Sequence, residues 1–140
     1  MSQPVRAARR RLQAEHDEVV AAIDRCGDAV ADPWDSSRTT DRGAVTARLE
    51  AALEESGLLS RLPRVLADVV AATGYALQAQ PVAGPPYVVV TSRGPILRAT
   101  IEPGRLVVRF DVFDVVRSGS ADEPVAYRRR DGVRLTVSLE

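Results

Sequence analysis

The 140-residue chain contains no lysine and no asparagine, and its nineteen basic residues are all arginine. The absence of lysine excludes every mechanism that needs a lysine amine, including Schiff-base catalysis, lysine general bases and the P-loop that binds nucleotide phosphates. The same bias in composition is typical of a GC-rich genome. Composition alone therefore excludes many enzyme classes.

Cysteine is present only once, at Cys26. A single cysteine cannot form an internal disulfide, and no second cysteine exists to complete a zinc-binding pair. A nucleophilic pair of Cys26 with His16 is also disfavoured. Ten residues place the two nearly a quarter turn apart on a helix, and no Asp or Asn that would orient them is evident. We therefore expect Cys26 to be a buried structural thiol.

Histidine is also present only once, and His16 has acidic neighbours in the sequence, Glu15, Asp17 and Glu18. Residues one and two positions apart do not share a helix face, whereas residues three and four apart do. On that criterion the neighbours of His16 are apolar or neutral. We therefore expect a packed residue of the core or of a helix interface rather than a catalytic or metal-binding histidine.

Long hydrophobic runs and a targeting segment are absent as well. The longest apolar runs, such as Val88–Val90, are far shorter than the roughly 18 residues needed to cross a bilayer. Met1 is followed by arginine-rich polar sequence, unlike a secretory signal. We therefore expect a cytoplasmic protein with no membrane segment.

Charge of one sign does not dominate, because the formal net charge is zero. Residues 1–83 hold ten arginines against twelve acidic residues, and residues 84–140 hold nine against seven. This asymmetry is too small to indicate a nucleic-acid-binding protein, which usually contains a clearly basic domain.

What the sequence does contain is a C-terminal half with the pattern of consecutive β-strands. Its segments are rich in β-branched residues, mostly alternate between apolar and polar, and are divided by turn signals. These signals are Arg93-Gly94-Pro95, Pro103-Gly104 and Asp131-Gly132, the last being typical of a type I′ hairpin turn. The sequence predicts a meander with strands over Tyr87–Ser92, Ile96–Glu102, Leu106–Val116, Val125–Arg130 and Val133–Leu139.

The N-terminal half predicts three helices. The first covers Val5–Ala31, although Gly27 could end it early. A loop over Asp32–Arg42 follows, and Trp34 is expected to anchor it. The apolar stripe of the first helix, with steps of four and three residues, is Leu12, His16, Val19, Ile23, Cys26 and Val30.

The second and third predicted helices follow the loop. The second begins at a Thr40 or Asp41 cap and ends at Ser56-Gly57. The third begins at a Ser60 cap, with Pro63 in its first turn, and Gly74 ends or kinks it.

Together these elements predict a single α+β domain over residues 1–140. About three N-terminal helices (residues 1–80) pack on one face of a five-stranded antiparallel meander (residues 81–140). Alternation along the strands makes one sheet face apolar and places Arg98, Arg109 and Arg134 on the other. Either Arg128 with Arg130, or Arg129, is expected to join them.

The arginine-bearing face is the strongest candidate site, since guanidinium groups interspersed with hydroxyls favour carboxylate or phosphate ligands. The turn that contains Ser92 and Arg93 could add an anion-binding nest, although it is equally an ordinary hairpin connector. A competing interpretation is that Glu102, Asp111 and Asp131 pair with the arginines and leave a neutral surface. The predicted ligand-binding residues are Arg98, Arg109, Arg134, Arg93 and Ser92.

Two further interpretations are left open. Two helices joined by Glu55–Ser60 precede a hairpin, which is the order of elements in a winged-helix DNA-binding protein. Two observations disfavour this interpretation. The only basic residues of the would-be recognition helix are Arg61 and Arg64, which offer few contacts to a DNA groove, and five strands are more than a wing contains. The spacing of the first helix also fits a coiled-coil seam, and the last strand is a natural edge for strand addition, so a homodimer or another protein partner remains open.

The segment Gly-Pro-Pro-Tyr-Val-Val-Val-Thr-Ser-Arg-Gly-Pro at residues 84–95, with Glu15-His16, resembles small uncharacterised proteins of halophilic archaea, and the resemblance spans most of the chain. It implies a salt-loaded cytoplasm and no known reaction, so it assigns no functional residue. Salt-adapted proteins are usually strongly acidic, whereas this chain is neutral. That relative basicity favours an acidic partner such as nucleic acid or the ribosome.

The sequence therefore predicts a non-catalytic binding module that uses its arginine-rich sheet face for an acidic protein partner or an anionic ligand. The alternative is a nucleic-acid-binding protein, either winged-helix-like or associated with RNA or the ribosome. We expect no enzyme activity, no catalytic residue, no cofactor and no metal ligand.

Overall fold

The structure is a computed structural model that describes residues 1–117, 119 and 122–140. These residues form a five-stranded antiparallel sheet and four α-helices, with connecting segments. The predicted α+β class is confirmed. The helices are α1 (Gln3–Glu15), α2 (Asp17–Ala31), α3 (Arg42–Glu55) and α4 (Leu58–Ala72). The strands are β1 (Arg38–Thr39), β2 (Val88–Val90), β3 (Pro95–Ile101), β4 (Gly104–Val116) and β5 (Ala126–Leu139).

The helix predicted over Val5–Ala31 is two helices that meet at His16. His16 has φ −124° and ψ 20°, and its N–H donates to the Leu12 carbonyl at 3.0 Å while its own carbonyl accepts from Val20. One residue thus ends α1 and begins α2, whose first turn carries Asp17 and Glu18 at the positive end of the helix dipole. The predicted apolar stripe faces the core in both helices. Gly27 lies within α2 and does not end it.

The second predicted helix is confirmed as α3, with Asp41 accepting a capping hydrogen bond from the Ala44 N–H at 3.0 Å. The start of the next helix is predicted wrongly. Gly57, with φ +79°, precedes α4, and the Ser60 hydroxyl donates back to the Gly57 carbonyl at 2.9 Å. Pro63 therefore lies beyond the first turn of α4. Gly74, with φ +85°, follows the end of the helix.

The order of the strands is β1-β5-β4-β3-β2, so β2 to β5 form an antiparallel meander of four strands, one fewer than predicted, and β1 is the fifth strand of the sheet. The predicted hairpin at Asp131-Gly132 is wrong, because the last two predicted strands are one strand, β5. The register shifts where Asp111 pairs with Arg134 but Phe113 pairs with Arg129. Residues 130–133 therefore oppose a single residue of β4, and Gly132, with φ +87°, supplies the conformation of this large bulge rather than that of a turn.

The predicted loop over Asp32–Arg42 contributes the short strand β1, which pairs Arg38 with Arg128 and Thr39 with Tyr127. The outermost strands are β1 and β2, but β1 pairs with β5 only at Tyr127 and Arg128. The last predicted strand, residues 133–139, therefore has no described strand paired on that side, as the sequence suggests. Trp34 holds this segment against the core as predicted, with its ring 5.6 Å from that of Phe113.

The helices pack on a single face of the sheet, which we call the inner face: α1 and α2 lie on β5, α2 also on β4, and α4 on β3. Each fully buried Leu, Ile or Phe side chain contributes roughly 1.5–3 kcal/mol by leaving water. No helix of the described residues is both long and apolar enough to cross a membrane. The largest fully buried side chains include Ile23, Leu49, Leu53, Leu62, Leu66, Leu97, Leu106, Phe110 and Phe113.

Candidate functional site

The sheet face opposite the helices, which we call the outer face, carries the three arginines that the strand pattern assigned to it. Residues directly opposite each other in an antiparallel pair project to the same side, and residues two apart along a strand share a face. The register therefore places Arg98, Arg109 and Arg134 together on three neighbouring strands. The rows across this face are Arg98–Val107–Ser138, Ile96–Arg109–Thr136 and Asp111–Arg134.

Three further arginines belong to the outer face. Arg105 lies opposite Thr100, at the end of β4 nearest Arg98. Arg128 and Arg130 are placed there by their ion pairs with Asp114, which also contacts the outer-face side chain of Arg134. The arginines of the outer face are Arg98, Arg105, Arg109, Arg128, Arg130 and Arg134.

Asp114 is shared by three of these arginines. Arg130 donates through Nη1 to Oδ1 of Asp114 at 2.8 Å, while Nη2 of Arg134 and of Arg128 lie 3.8 and 3.9 Å from the carboxylate. Even with Asp111, which lies opposite Arg134 on the same face, two carboxylates do not neutralise three guanidinium groups, so the cluster retains positive charge. The Nε of Arg130 is buried and has no hydrogen-bond partner among the described residues.

The other three arginines have little or no acidic compensation. Arg109 is paired loosely with Glu140, at 3.6 Å and with both side chains exposed. Within the described parts of the chain, no carboxylate lies within 4.0 Å of Arg98 or Arg105. The expected neutralising pairs with Glu102, Asp111 and Asp131 do not form between described residues; Asp114 and Glu140 make the pairs instead.

The turn that contains Ser92 and Arg93 lies against β4, where the Arg93 carbonyl accepts from the Val112 and Phe113 N–H groups, and it satisfies the Arg93 and Gly94 amides internally. The Thr91 hydroxyl accepts from the N–H groups of Arg93 and Gly94 at 3.2 and 3.3 Å and donates to the Gly94 carbonyl. Ser92 is buried and the Arg93 side chain is exposed. This arrangement favours the hairpin connector over the anion nest.

Arg129 projects to the inner face, unlike its neighbours Arg128 and Arg130. Its guanidinium contacts the Asp24 carboxylate and donates to the Asp24 carbonyl at 2.7 Å, to Asp28 at 3.2 Å and to the Val112 and Arg130 carbonyls. These contacts fix α2 to the bulge of β5, so the role of Arg129 is structural.

The close approach of the Arg129 guanidinium to α2 requires a glycine at position 27. A Cβ atom at Gly27 would lie 2.8 Å from Nε of Arg129 and 3.1 Å from Cβ of Val112. The glycine that weakens the helix pattern in the sequence therefore makes room for the guanidinium.

His16 lies at a helix interface, in line with its apolar neighbours, but its partner Asp68 was not predicted. The Nε2 atom of His16 is 2.5 Å from Oδ2 of Asp68, and Arg11 binds the same carboxylate with two hydrogen bonds at 2.8 and 3.0 Å. The Arg11 guanidinium, and then His16, lower the pKa of Asp68 against an opposing effect of burial. The one signal was that Asp68 is the only acidic residue in the apolar part of α4.

Cys26 is buried, and its Sγ lies 3.8 Å from the Ser56 hydroxyl. Burial raises the pKa of the thiol, which leaves it in the unreactive protonated form at neutral pH. The structural role expected for Cys26 agrees with this environment. Among the described residues, no group of three or more His, Cys, Asp or Glu side chains could hold a metal ion.

A cavity that the sequence did not indicate opens at the rim of the outer face. It has a volume of about 410 Å³ and lies where β2 has ended but β3 continues. That volume is within the range of small-ligand pockets. Its lining residues are Leu77, Gln78, Ala79, Pro86, Tyr87, Arg98, Ala99, Thr100 and Arg105.

Comparison with known families gives a match over nearly the whole chain. A model of a family described as Domain of unknown function (DUF7988) matches residues 6–140. The chain belongs to this family. Membership in DUF7988 assigns no activity, ligand or partner to the outer face or to the cavity. A search of curated proteins and a search of solved structures found no match.

Proposed function

We propose that this member of DUF7988 is a non-catalytic binding module whose outer face binds an acidic protein partner. The observation that carries the proposal is the excess of guanidinium groups there. Arg98 and Arg105 have no acidic partner among the described residues, and three other arginines share Asp114. Arginine binds carboxylates through two parallel hydrogen bonds, which matches an acidic side chain in the partner.

The neighbouring polar groups support the same ligand chemistry. Thr136 and Ser138 lie in the same rows as Arg109 and Arg98, and their hydroxyls can donate to a carboxylate without adding charge. The side chains of Arg109 and Arg134 are 40% and 57% exposed, so a ligand can reach their guanidinium groups.

An acidic protein is favoured over nucleic acid because no aromatic side chain of the described strands is exposed on the outer face, and Tyr87 at its rim is half-buried. Single-stranded nucleic acid binds to sheets largely by stacking bases on aromatic side chains. In the described strands the aromatic residues Phe110, Phe113 and Tyr127 are buried, and Trp34 packs on Phe113. The neutral net charge of the chain also lacks the basic domain typical of DNA- and RNA-binding proteins.

The resemblance to halophilic archaeal proteins belongs to the same proposal, with a salt-loaded cytoplasm as the site of action. At about 1 M salt the screening length is only about 3 Å, so distant charges contribute little. Binding there would depend on directly hydrogen-bonded arginine–carboxylate pairs. This requirement suits the forked guanidinium group better than a diffuse basic surface.

The test compares two triple variants that remove the same charge. Arg98→Ser/Arg109→Ser/Arg134→Ser removes the central arginines of the outer face. The control, Arg10→Ser/Arg25→Ser/Arg48→Ser, removes three exposed arginines of the helices for which no ion pair with a described residue is seen. Fluorescence anisotropy measures the affinity of each for labelled polyglutamate and for a single-stranded RNA at low ionic strength.

We expect the outer-face variant to bind polyglutamate about tenfold more weakly than the wild type and the control to stay within about twofold. Equal losses in both variants would show that only net charge matters and would contradict the proposal. Unchanged binding by the outer-face variant would dismiss the face as a site. Binding of RNA in preference to polyglutamate, lost in the outer-face variant alone, would replace the proposal with nucleic-acid binding.

A further inference from the structure

We propose that the cavity beside β3 is where the acidic partner attaches, as an extended segment that adds a strand to the free edge of β3. This inference rests on the proposed function and specifies its mode. In strand addition, main-chain hydrogen bonds supply affinity while pockets for alternate side chains supply specificity. Unpaired main-chain groups and a pocket for side chains are both present around Thr100.

The free edge arises because β2 stops pairing before β3 ends. Their last paired residues are Val88 and Leu97, after which only the Arg98 N–H is bonded on this side, donating to the Tyr87 carbonyl at 2.8 Å. The Tyr87 N–H, which would continue the ladder, donates instead to the Gly84 carbonyl at 3.0 Å. The chain therefore joins the sheet only at Tyr87, and the part of β3 from Arg98 to Ile101 has no strand beside it on this side.

The main-chain groups on this edge face away from β4. In an antiparallel ladder successive residues direct their N–H and C=O groups to opposite sides, and the Arg98 N–H already points toward β2. The carbonyl of Arg98 and both main-chain groups of Thr100 therefore point the same way, into the cavity. No described residue forms a hydrogen bond with these three groups.

The two walls of the cavity differ in chemistry. Arg98, Thr100 and Arg105 form a polar wall on the outer-face side, whereas Leu77 and Tyr87, which pack against the hydrophobic core, form an apolar wall. A strand that entered here would present alternate side chains to the two walls. The segment that fits has acidic residues alternating with apolar residues.

The arginines make this edge specific for carboxylates. Arg105 lies directly opposite Thr100 on β4, and Arg98 lies two residues before Thr100 on β3. Both guanidinium groups are therefore neighbours of Thr100 on the outer face. Neither has an acidic partner within the described chain. A second copy of this protein is a poor occupant, because pairing two β3 edges would bring these arginines against one another.

The test varies the peptide so that the protein remains intact. The probe is an acetylated and amidated hexapeptide in which Glu and Val alternate. Its control carries N-methyl groups on the residues whose N–H groups would face β3, so it keeps every side chain but cannot complete the main-chain pairing. Affinity is measured by anisotropy, and exchange of the Thr100 amide proton by NMR.

We expect the unmodified peptide to bind about tenfold more tightly than its N-methylated control and to protect the Thr100 amide from exchange. Arg105→Ser should weaken its binding about tenfold, whereas Arg48→Ser should not. Equal binding of the two peptides, an unprotected Thr100 amide, or no binding of the peptide by the wild type would each overturn strand addition.

These outcomes separate the mode from the function. If the peptides bind equally but Arg98→Ser/Arg109→Ser/Arg134→Ser weakens polyglutamate binding, the outer face binds acidic ligands and the edge of β3 does not take part. If Thr100 is protected while Arg109→Ser/Arg134→Ser, which keeps Arg98, binds polyglutamate as the wild type does, the edge is a site and the wider face is not.

Discussion

Arg129 has more hydrogen-bond acceptors around its guanidinium than any other arginine in the described chain. Its side chain is only 15% exposed, and its partners include two aspartates of α2. Truncation would leave three main-chain carbonyls and the partly buried Asp24 carboxylate without this donor, whereas the Asp28 side chain, which is 70% exposed, can be hydrated instead.

We therefore predict that Arg129→Ala lowers the free energy of unfolding by about 2 kcal/mol, measured by urea denaturation. The control is Arg128→Ala, whose side chain is 51% exposed and 3.9 Å from Asp114. It should cost less than about 1 kcal/mol. Equal losses for the two adjacent arginines would show that Arg129 does not fix α2 to β5.

Neither the partners of Arg129 nor the Asp68 pair could be predicted from the sequence. Arg128, Arg129 and Arg130 are three identical residues in a row, and alternation left open which of them point outward. Which of the three arginines point outward depends on the bulge at Gly132, because the bulge sets the register of β5 on β4. The Arg11–Asp68–His16 cluster joins residues more than fifty positions apart, beyond the reach of local patterns.

At the scale of the elements, the contact between α2 and β5 depends on one glycine. Alanine within a helix is normally more stable than glycine by about 1 kcal/mol. At Gly27 the added Cβ would lie 2.8 Å from Nε of Arg129, whose position is fixed by its hydrogen bonds, so the steric conflict outweighs the gain in propensity.

We predict that Gly27→Ala destabilises the wild type by about 1–2 kcal/mol but is neutral or stabilising when combined with Arg129→Ala. The matched control is Gly43→Ala in α3, where the new Cβ would meet only Asp41 Oδ1 at 3.9 Å. That change should stabilise by up to about 1 kcal/mol. A Gly27→Ala effect that is the same with and without Arg129 would contradict the proposed contact.

The elements that the sequence predicted well are those with a clear period over many residues. The α2 stripe and the alternation of β3 and of residues 106–111 of β4 are examples, and with them the assignment of Arg98, Arg109 and Arg134 to one face. The predicted alternation fails at Phe113, which is buried in the core next to Val112. Boundaries that depend on a single residue were missed: the break at His16, the start of α4 at Gly57, and the bulge at Gly132. The strand β1 has only two residues, too few to show a hydrophobic pattern in the sequence, and it forms by pairing with β5.

At the scale of the whole molecule, stability should depend on pH through Asp68. Its pKa is lowered in the folded state, chiefly by the Arg11 guanidinium, and its carboxylate joins α1 and the junction at His16 to α4. A lowered pKa means that the ionised form favours folding. The contribution of Asp68 is thus fully present above its unfolded pKa of about 4 and is lost as pH falls through the lower folded value.

We predict that Asp68→Asn is less stable than the wild type at pH 7 and that the difference shrinks as the pH is lowered from about 4 to 2. Urea denaturation at several pH values measures this difference. Glu50→Gln, at an exposed position of α3, removes a carboxylate for which no ion pair with a described residue is seen, and should show no such trend. A difference that is constant with pH would show that Asp68 does not act through its charge.

The short strand β1 links distant parts of the chain, since Arg38 and Arg128 are ninety positions apart in the sequence. Closing so large a loop costs conformational entropy before any contact compensates for it, and chains rich in such remote pairings fold slowly. The helices α1 and α2 can form early from local interactions. Because β1 can pair only when β5 is in place, we expect this corner of the protein to be completed late in folding.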